Sequence, residues 1–290
     1  VRHRLELLFY LIVKGVLRTL PHSVARAFGR GMGSVVYRLN PYHRKITLNN
    51  LKIAFPEWDE ARVLRTAKAV FRHWGAMVCD IISATRFTPE KLISLVDIEG
   101  WENLEQARAM DRGVIVFSAH IGSWEIVAHA ISHKMGRLIA IGRPLSNELL
   151  WDHLMAERRR LGLEFIKRQG GAHKLAKAVR KKQMVGIVID QRVRPPQGIV
   201  VPFLGRDAIT SPIMAIIALH TGAPAVPVFC YPAEKTRYRA YIYPPMLTEK
   251  GEVDDETVAA LTRRYMTVIE EEIRRRPEQW MWLHRRWRMD

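Results

Sequence analysis

Apolar residues follow two different spacings along this chain, and the change falls near residue 95. Before it the spacing is helical. Val63, Leu64, Ala67, Val70, Phe71 and Trp74 recur every three or four residues, which predicts a helix over residues 61–83 with one apolar face. Phe55-Pro-Glu-Trp-Asp ahead of it breaks the chain and supplies a cap, and Asn40-Pro-Tyr-His-Arg-Lys reads as a basic loop or a helix start. After residue 95, short apolar runs alternate with helical stretches. Strands are predicted at 114–118, 137–141, 163–166, 185–189, 225–231 and 237–243. Helices are predicted at 124–133, 147–161, 172–182, 211–220 and 255–275. This rhythm implies an α/β fold: a central, mainly parallel or mixed sheet flanked by helices, preceded by a helical N-terminal region. The expected division is a helical part at 1–95 and an α/β core at 96–290, with no internal repeat and no low-complexity tract.

The first twenty residues admit more than one reading. The longest uncharged run is Leu7 to Val13, interrupted on either side by Glu6, Lys14 and Arg18. A spanning helix needs about 20 predominantly apolar residues, and no small-residue cleavage site of the usual kind follows. One reading is an anchor lying in the membrane interface, with Lys14 and Arg18 one turn apart meeting headgroups. The other is an ordinary buried helix. A spanning segment completed by residues ahead of Val1 stays open.

Composition narrows the partners. The 290 residues are 48% hydrophobic and 26% charged, ordinary for a folded chain able to bury a full core. The charge is not ordinary: Lys+Arg 46 against Asp+Glu 29 leaves +17. Such an excess favours polyanions, whether nucleic acid, an anionic membrane surface or a phosphorylated substrate. Lys174, Lys177 and Lys181 form one helical face followed by Lys182, and arginine triplets stand at 158–160 and 274–276. These are either solvated faces or one surface for phosphates and an acidic partner. No recognition-helix, RNA-recognition or paired Cys/His module accompanies the charge. Cys79 and Cys230 lie far apart with no Cys-x-x-Cys, which argues against a disulfide framework and a structural zinc site and fits a reducing compartment.

The stretch Gly113-Val-Ile-Val-Phe-Ser-Ala-His120-Ile-Gly-Ser-Trp-Glu125 carries the clearest chemistry. A buried strand ends in a small-residue turn that holds a histidine, and a helix follows. Positions five apart on one helix differ by roughly 140°. His120 and Glu125 can therefore meet only if His120 sits in the turn and Glu125 in the first helical turn. A histidine oriented by a carboxylate is a general base near neutral pH. Other strand ends carry Arg143 in Gly-Arg-Pro, Lys167-Arg168, and Asp190-Gln191 ahead of the irregular loop 192–198. In such sheets these ends form one edge, where ligands bind. A base, a carboxylate and several cations at one edge suit a transferase or hydrolase acting on an anionic substrate. Ser118 and Ser123 flank the histidine, yet Gly-x-Ser-x-Gly is missing. The mechanism expected is direct: His120 deprotonates an acceptor hydroxyl, whose oxygen attacks an activated acyl carbon. His129 and His133 are four apart without a matching carboxylate, so no metal is expected. Trp280, Trp282 and Trp287 alternate with His284, Arg285, Arg286 and Arg288. They suit base stacking, a membrane-interface belt or packing of the tail on the core.

Ser-Ala-His120-x4-Glu125 resembles the His-x4-Asp/Glu motif of glycerolipid-type acyltransferases. Four further motifs sharpen the likeness: Asp190-Gln191, Thr210-Ser-Pro, Thr221-Gly-Ala-x-x-Val-Pro-Val-Phe, and Pro277-Glu-Gln-Trp-x-Trp282-Leu-His284-Arg-Arg-Trp287. With them the chain resembles the bacterial lipid A biosynthesis acyltransferases, the lauroyl/myristoyl transferases, over nearly its whole length. The resemblance implies transfer of a fatty acyl group from an acyl carrier protein thioester, without a cofactor. The acceptor it implies is a hydroxyl of a lipid A precursor, at the cytoplasmic face of the bacterial inner membrane. His120 would be the base and Glu125 would hold its other ring nitrogen. Arg143, Arg168, Asp190 and Gln191 would bind substrate, although Lys167-Arg-Gln-Gly-Gly departs from the family forms around Arg168. A related branch acylates phosphatidylinositol mannosides from acyl-CoA, so donor and acceptor stay open between the two. A basic nucleic-acid-binding protein and a hydrolase using the same histidine on water are the rival readings.

Overall fold

The computed structural model describes residues 1–142, 144–167, 170–234 and 237–289. The helical opening comprises α1 (Arg2–Thr19), α2 (His22–Leu39), α3 (Pro41–Ala54), α4 (Glu60–Ala84) and the short α5 (Pro89–Ile93). Asn40 is the cap of α3, its side chain accepting from the His43 amide, with Pro41 in the first turn. Asp59 caps α4 by accepting from the Arg62 amide at 2.6 Å. The rest runs β1 (Val96–Glu99), α6 (Trp101–Ala109), β2 (Val114–Ser118), α7 (Trp124–Met135), β3 (Leu138–Gly142), α8 (Glu148–Arg160) and β4 (Leu163–Lys167). There follow α9 (Gly171–Arg180), β5 (Met184–Val188), β6 (Ile199–Phe203), β7 (Arg206–Thr210), α10 (Ile213–Thr221), β8 (Ala225–Pro232), β9 (Tyr238–Ile242) and α11 (Asp255–Arg275).

The α/β expectation holds. A seven-stranded sheet has the order β1-β9-β8-β2-β5-β3-β4. All neighbours are parallel except β8 and β9, so the sheet is mixed and mostly parallel. Sequence spacing did not disclose β1, α6 or the β6–β7 hairpin. The first is only four residues long, and α6 is short and buries only Leu104 and Ala107. The hairpin is closed by Leu204 and Gly205, both with positive φ, a two-residue turn whose twist suits antiparallel strands.

Alternation along β2 divides the core. Ile115 and Phe117 join α3, α4, α9, α10 and α11 on one face of the sheet, while Val114 and Val116 meet α7 on the other. Helix α2 reaches α4 by backbone contact. A Cβ on Gly29 would stand 2.4 Å from the Gly75 carbonyl oxygen, and one on Gly33 would stand 2.1 Å from that of Phe71. Glycine at both positions lets the two helices approach this closely.

Helix α1 is apolar on both faces: Leu17 is buried with Ala25 and Cys79, and another apolar stripe points outward. Lys14 is buried and bonds Glu157 and His153 on α8, whereas Leu5, Leu8, Phe9, Ile12 and Val16 are exposed. The expectation that Lys14 meets headgroups is corrected accordingly: its ammonium points inward to the mostly covered Glu157 carboxylate, which needs a cation there. On α2, Val24, Phe28, Met32, Val35 and Leu39 form a second exposed apolar stripe. Among the described residues no helix is long and apolar enough to cross a membrane.

Candidate active site

Parallel pairing of β2 with β5 sets Ser118 opposite Val188. Two residues further along, His120 and Asp190 therefore leave adjacent strands side by side. The imidazole Nδ1 lies 2.8 Å from Asp190 Oδ1, and the His120 amide donates to Oδ2 at 2.9 Å. The carboxylate is 1% exposed, while the imidazole keeps 19% of its side chain open. Burial raises the Asp190 carboxyl, but the charge and hydrogen bonds of His120 and the indole N–H of Trp280 outweigh it and hold the pKa below its ordinary value. An ionised Asp190 selects the Nδ1–H tautomer, leaving Nε2 with its lone pair free to take a proton.

The turn between β2 and α7 is tightly constrained. Gly122 has φ +59°, and a Cβ there would stand 2.1 Å from the Cys230 carbonyl oxygen. The Ser123 amide donates to that oxygen at 2.7 Å, which starts α7 beside β8. The aromatic wall behind the imidazole is Trp124, with ring centroids 5.2 Å apart, and Trp74 of α4 stands 5.5 Å from Trp124.

Glu125 is in the first turn of α7, as its spacing predicted, but it does not hold His120. Arg158 of α8 takes both of its oxygens, Nε to Oε1 at 2.7 Å and Nη2 to Oε2 at 2.9 Å. The expected His120–Glu125 contact is corrected to His120–Asp190. The first helical turn directs Glu125 toward α8, whereas the neighbouring strand end supplies a carboxylate in register. Burial raises the Glu125 carboxyl, but the adjoining His129 ring and the Arg158 guanidinium more than offset this, so its pKa falls to about 2. His129 Nε2 is 3.8 Å away, too far for a hydrogen bond, so Arg158 carries the pairing.

An apolar cavity of about 100 Å³, partly open to solvent, lies between the sheet and α7. Ser118, Trp124 and Glu125 stand at its head, and Ile131, Leu138 and Leu163 are among its walls. The Ser118 hydroxyl is buried there without a partner. Among the described residues no group of three or more His, Cys, Asp or Glu side chains is arranged to hold a metal. Arg143 and Arg168, expected to bind substrate, lie outside the described residues. Gln191 follows Asp190 and donates from Nε2 to the Met281 sulfur at 3.1 Å.

The C-terminal aromatic block proves to be part of the site, a role that its composition alone did not disclose. After α11 and a 3-10 turn at Pro277–Gln279, the chain lies against the β2 turn. The Gly122 amide donates to the Gln279 carbonyl, the Met281 amide donates to that of His120, both at 3.1 Å, and Ile121 bridges Trp280. Trp280 Nε1 donates to Asp190 Oδ2 at 2.8 Å. His284 Nε2 accepts from the Arg192 amide at 3.1 Å, and burial holds this ring below its ordinary pKa. Buried Arg286 donates to the Ile209 carbonyl and the Thr210 hydroxyl at the end of β7. The alternation of Trp with Arg in this block is thus the pattern of a strap with aromatic rings packed inward and polar ends fastened to loops.

Residues 2–289 match the family model described as bacterial lipid A biosynthesis acyltransferase. The chain is 26% identical over 278 residues to the lipid A biosynthesis lauroyltransferase of Escherichia coli (strain K12), covering 93% of this chain and 87% of that one. It is 26% identical over 257 residues to the lipid A biosynthesis myristoyltransferase of the same strain, covering 87% and 77%. Similarity extends to the phosphatidylinositol mannoside acyltransferase of Mycobacterium tuberculosis (strain ATCC 25618 / H37Rv), at 24% identity over 197 residues covering 67% and 60%.

Proposed function

The chain belongs to the bacterial lipid A biosynthesis acyltransferase family, and from that premise we propose that it moves a fatty acyl group from a thioester to a hydroxyl of an anionic glycolipid. The donor in this reading is an acyl carrier protein thioester and the acceptor a lipid A precursor, met at the cytoplasmic face of the inner membrane. The observation that carries the reading is the His120–Asp190 pair, an imidazole with one nitrogen fixed by a buried carboxylate, against Trp124, which lines the apolar cavity.

The chemistry follows from those positions. His120 Nε2 takes the proton of the acceptor hydroxyl as its oxygen attacks the thioester carbonyl carbon. The resulting tetrahedral centre collapses with cleavage of the C–S bond, and the imidazolium returns the proton to the departing sulfur. No enzyme nucleophile is needed. General-base assistance of this kind is worth roughly 10²- to 10⁴-fold, and the remainder comes from holding two long substrates in line. The acyl chain occupies the cavity along α7, and the free Ser118 hydroxyl at its head can meet the carbonyl oxygen.

Purified protein offered acyl carrier protein and coenzyme A thioesters, with a tetra-acylated lipid A precursor, tests the reading by mass spectrometry. A penta-acylated product is expected. Transfer from acyl-CoA to a phosphatidylinositol mannoside instead would move the acceptor to that relative's chemistry, and thioester consumption independent of any acceptor would overturn transfer in favour of hydrolysis. If the cavity holds the acyl chain, Ala128→Leu, on the α7 wall of the cavity, should shift donor preference toward chains shorter by roughly two methylenes, since each methylene that no longer fits is worth about 1–3 kcal/mol. Unchanged preference would remove the acyl chain from the cavity.

The outward apolar stripes of α1 and α2, together with +17 of net charge, support contact with an anionic bilayer surface. Phe9→Asp and Phe28→Asp should each weaken binding to vesicles containing anionic lipid by roughly tenfold, the scale of one large apolar side chain. Thermal stability should change far less, because Phe9 is 70% and Phe28 53% exposed. Equal binding by the variants in a sedimentation assay would turn these stripes away from the membrane.

A further inference from the structure

The proposed reaction gives the C-terminal aromatic block, strapped against the His120 turn, no chemical step of its own. We propose that Trp280 is a positioning residue for the His120–Asp190 pair and acts through its indole N–H, an inference that rests on that pair being the base. Asp190 is buried, so its carboxylate must be fully hydrogen-bonded. Three donors reach it. Two belong to His120, the ring Nδ1 and the backbone amide, and these are the groups to be oriented. The third, Trp280 Nε1 at 2.8 Å from Oδ2, is fixed from elsewhere. The terminal torsion of an aspartate is broad and roughly two-fold, so without a donor from outside the turn the carboxylate can rotate together with the imidazole.

Trp280 is held where it is. It is 1% exposed, and its ring centroid lies 4.6 Å from that of Trp282 and 5.6 Å from that of Phe203. Its backbone neighbours bond both sides of the His120 turn, and its carbonyl accepts from Trp74 Nε1 at 3.4 Å. An indole N–H donates and cannot accept. It therefore favours an ionised Asp190 acting only as acceptor, the state that keeps a proton on His120 Nδ1. A hydroxyl in the same place could reverse its role. Among the described residues, His284 and Arg286 on the strap also face this carboxylate, with Arg192 from the β5 loop facing His284 and Glu270 of α11 facing Arg286.

Trp280→Phe keeps an aromatic ring in the cluster and removes the donor. In the acyl-transfer assay kcat should fall roughly 10- to 100-fold, the range for one hydrogen bond to a charged group, with KM for donor and acceptor unchanged. The acid limb of kcat/KM should move to higher pH, because a carboxylate that loses a donor becomes more basic. Trp282→Phe is the control: its indole donates to the Pro277 carbonyl instead of the pair, so it should lose stability without moving the limb. Equal losses in the two variants, or a Trp280→Phe enzyme with wild-type kcat, would overturn the inference. Should Trp280→Phe not fold, the indole N–H resonance of Trp280 in the wild-type protein serves. It should titrate with the same midpoint as the acid limb, and a resonance indifferent to pH refutes the coupling. His120→Ala, run alongside, separates the two claims. An active His120→Ala enzyme removes the base itself, whereas an inactive one with a normal Trp280→Phe removes only the role of Trp280.

Discussion

His120→Ala is expected to lower the turnover number by roughly 10²- to 10⁴-fold, the contribution of a positioned general base, while the protein stays folded. The asymmetry follows from where the side chain sits. It is partly open to solvent, and Asp190 beneath it keeps two other donors, the residue 120 amide and Trp280 Nε1. One hydrogen bond to a charged group is lost, about 1.5–3 kcal/mol of stability. Against a domain of this size that lowers Tm by only several degrees. Rate and stability are thus decoupled, and mass-spectrometric turnover measured beside calorimetry reads both. Asp190→Asn should lose rate through another route. An amide puts a donor at one of the two oxygen positions, so either the imidazole Nδ1 must give up its proton and accept, or the His120 amide and Trp280 Nε1 both meet a repulsive partner. Full turnover in both variants would eliminate the pair as the base.

Arg158→Met should be the most destabilising single change at the site. Removing one partner of a buried ion pair costs about 3–5 kcal/mol because the other charge stays behind without compensation. Glu125 is 8% exposed and the Arg158 side chain is 22% exposed, so the lower end of that range is expected. Replacing both, Glu125→Leu with Arg158→Met, should recover most of the loss. The effect depends on pH. With its folded pKa at about 2, the Glu125 carboxyl contributes stability that is complete above the ordinary carboxylate range and is lost as pH falls through that range toward 2. Urea midpoints should therefore separate wild type from Arg158→Met widely at neutral pH and much less near pH 2. A difference that does not change with pH would show that the pair is not the cause. The double variant also bears on mechanism. A folded double variant with measurable turnover makes Glu125 a wall of the cavity, whereas a folded but inactive one returns Glu125 to the reaction.

This pair shows why the site was only partly legible in the chain. His-x4-Glu is contiguous, and its spacing places one residue in a turn and the other in the first turn of a helix. The same spacing makes the two look like partners. Asp190 is seventy residues away and was legible only as a polar residue closing a strand. What joins it to His120 is the sheet order, which sets β5 rather than β3 beside β2. Order depends on how crossover helices pack on both faces, and no local pattern records it. The C-terminal block was visible as a motif, but three tryptophans among arginines suit a membrane belt as well as a strap. Burial of Trp280 and Trp282 distinguishes the two, and burial is a property of the assembled core.

By itself the sequence determined what depends on neighbours along the chain. Its apolar spacing specified most strands and helices, and its turns put His120 and Asp190 at strand ends. The tertiary structure decided what depends on neighbours in space: that Asp190 takes the imidazole, that Arg158 takes Glu125, that Lys14 faces inward while an apolar stripe of α1 faces outward, and that Trp280 closes the hydrogen bonding of the buried carboxylate. The reason is common to all four. A charged or polar group is indifferent to its partner while water surrounds it. Burial removes that alternative, and the partner is then whichever group the packing brings within reach.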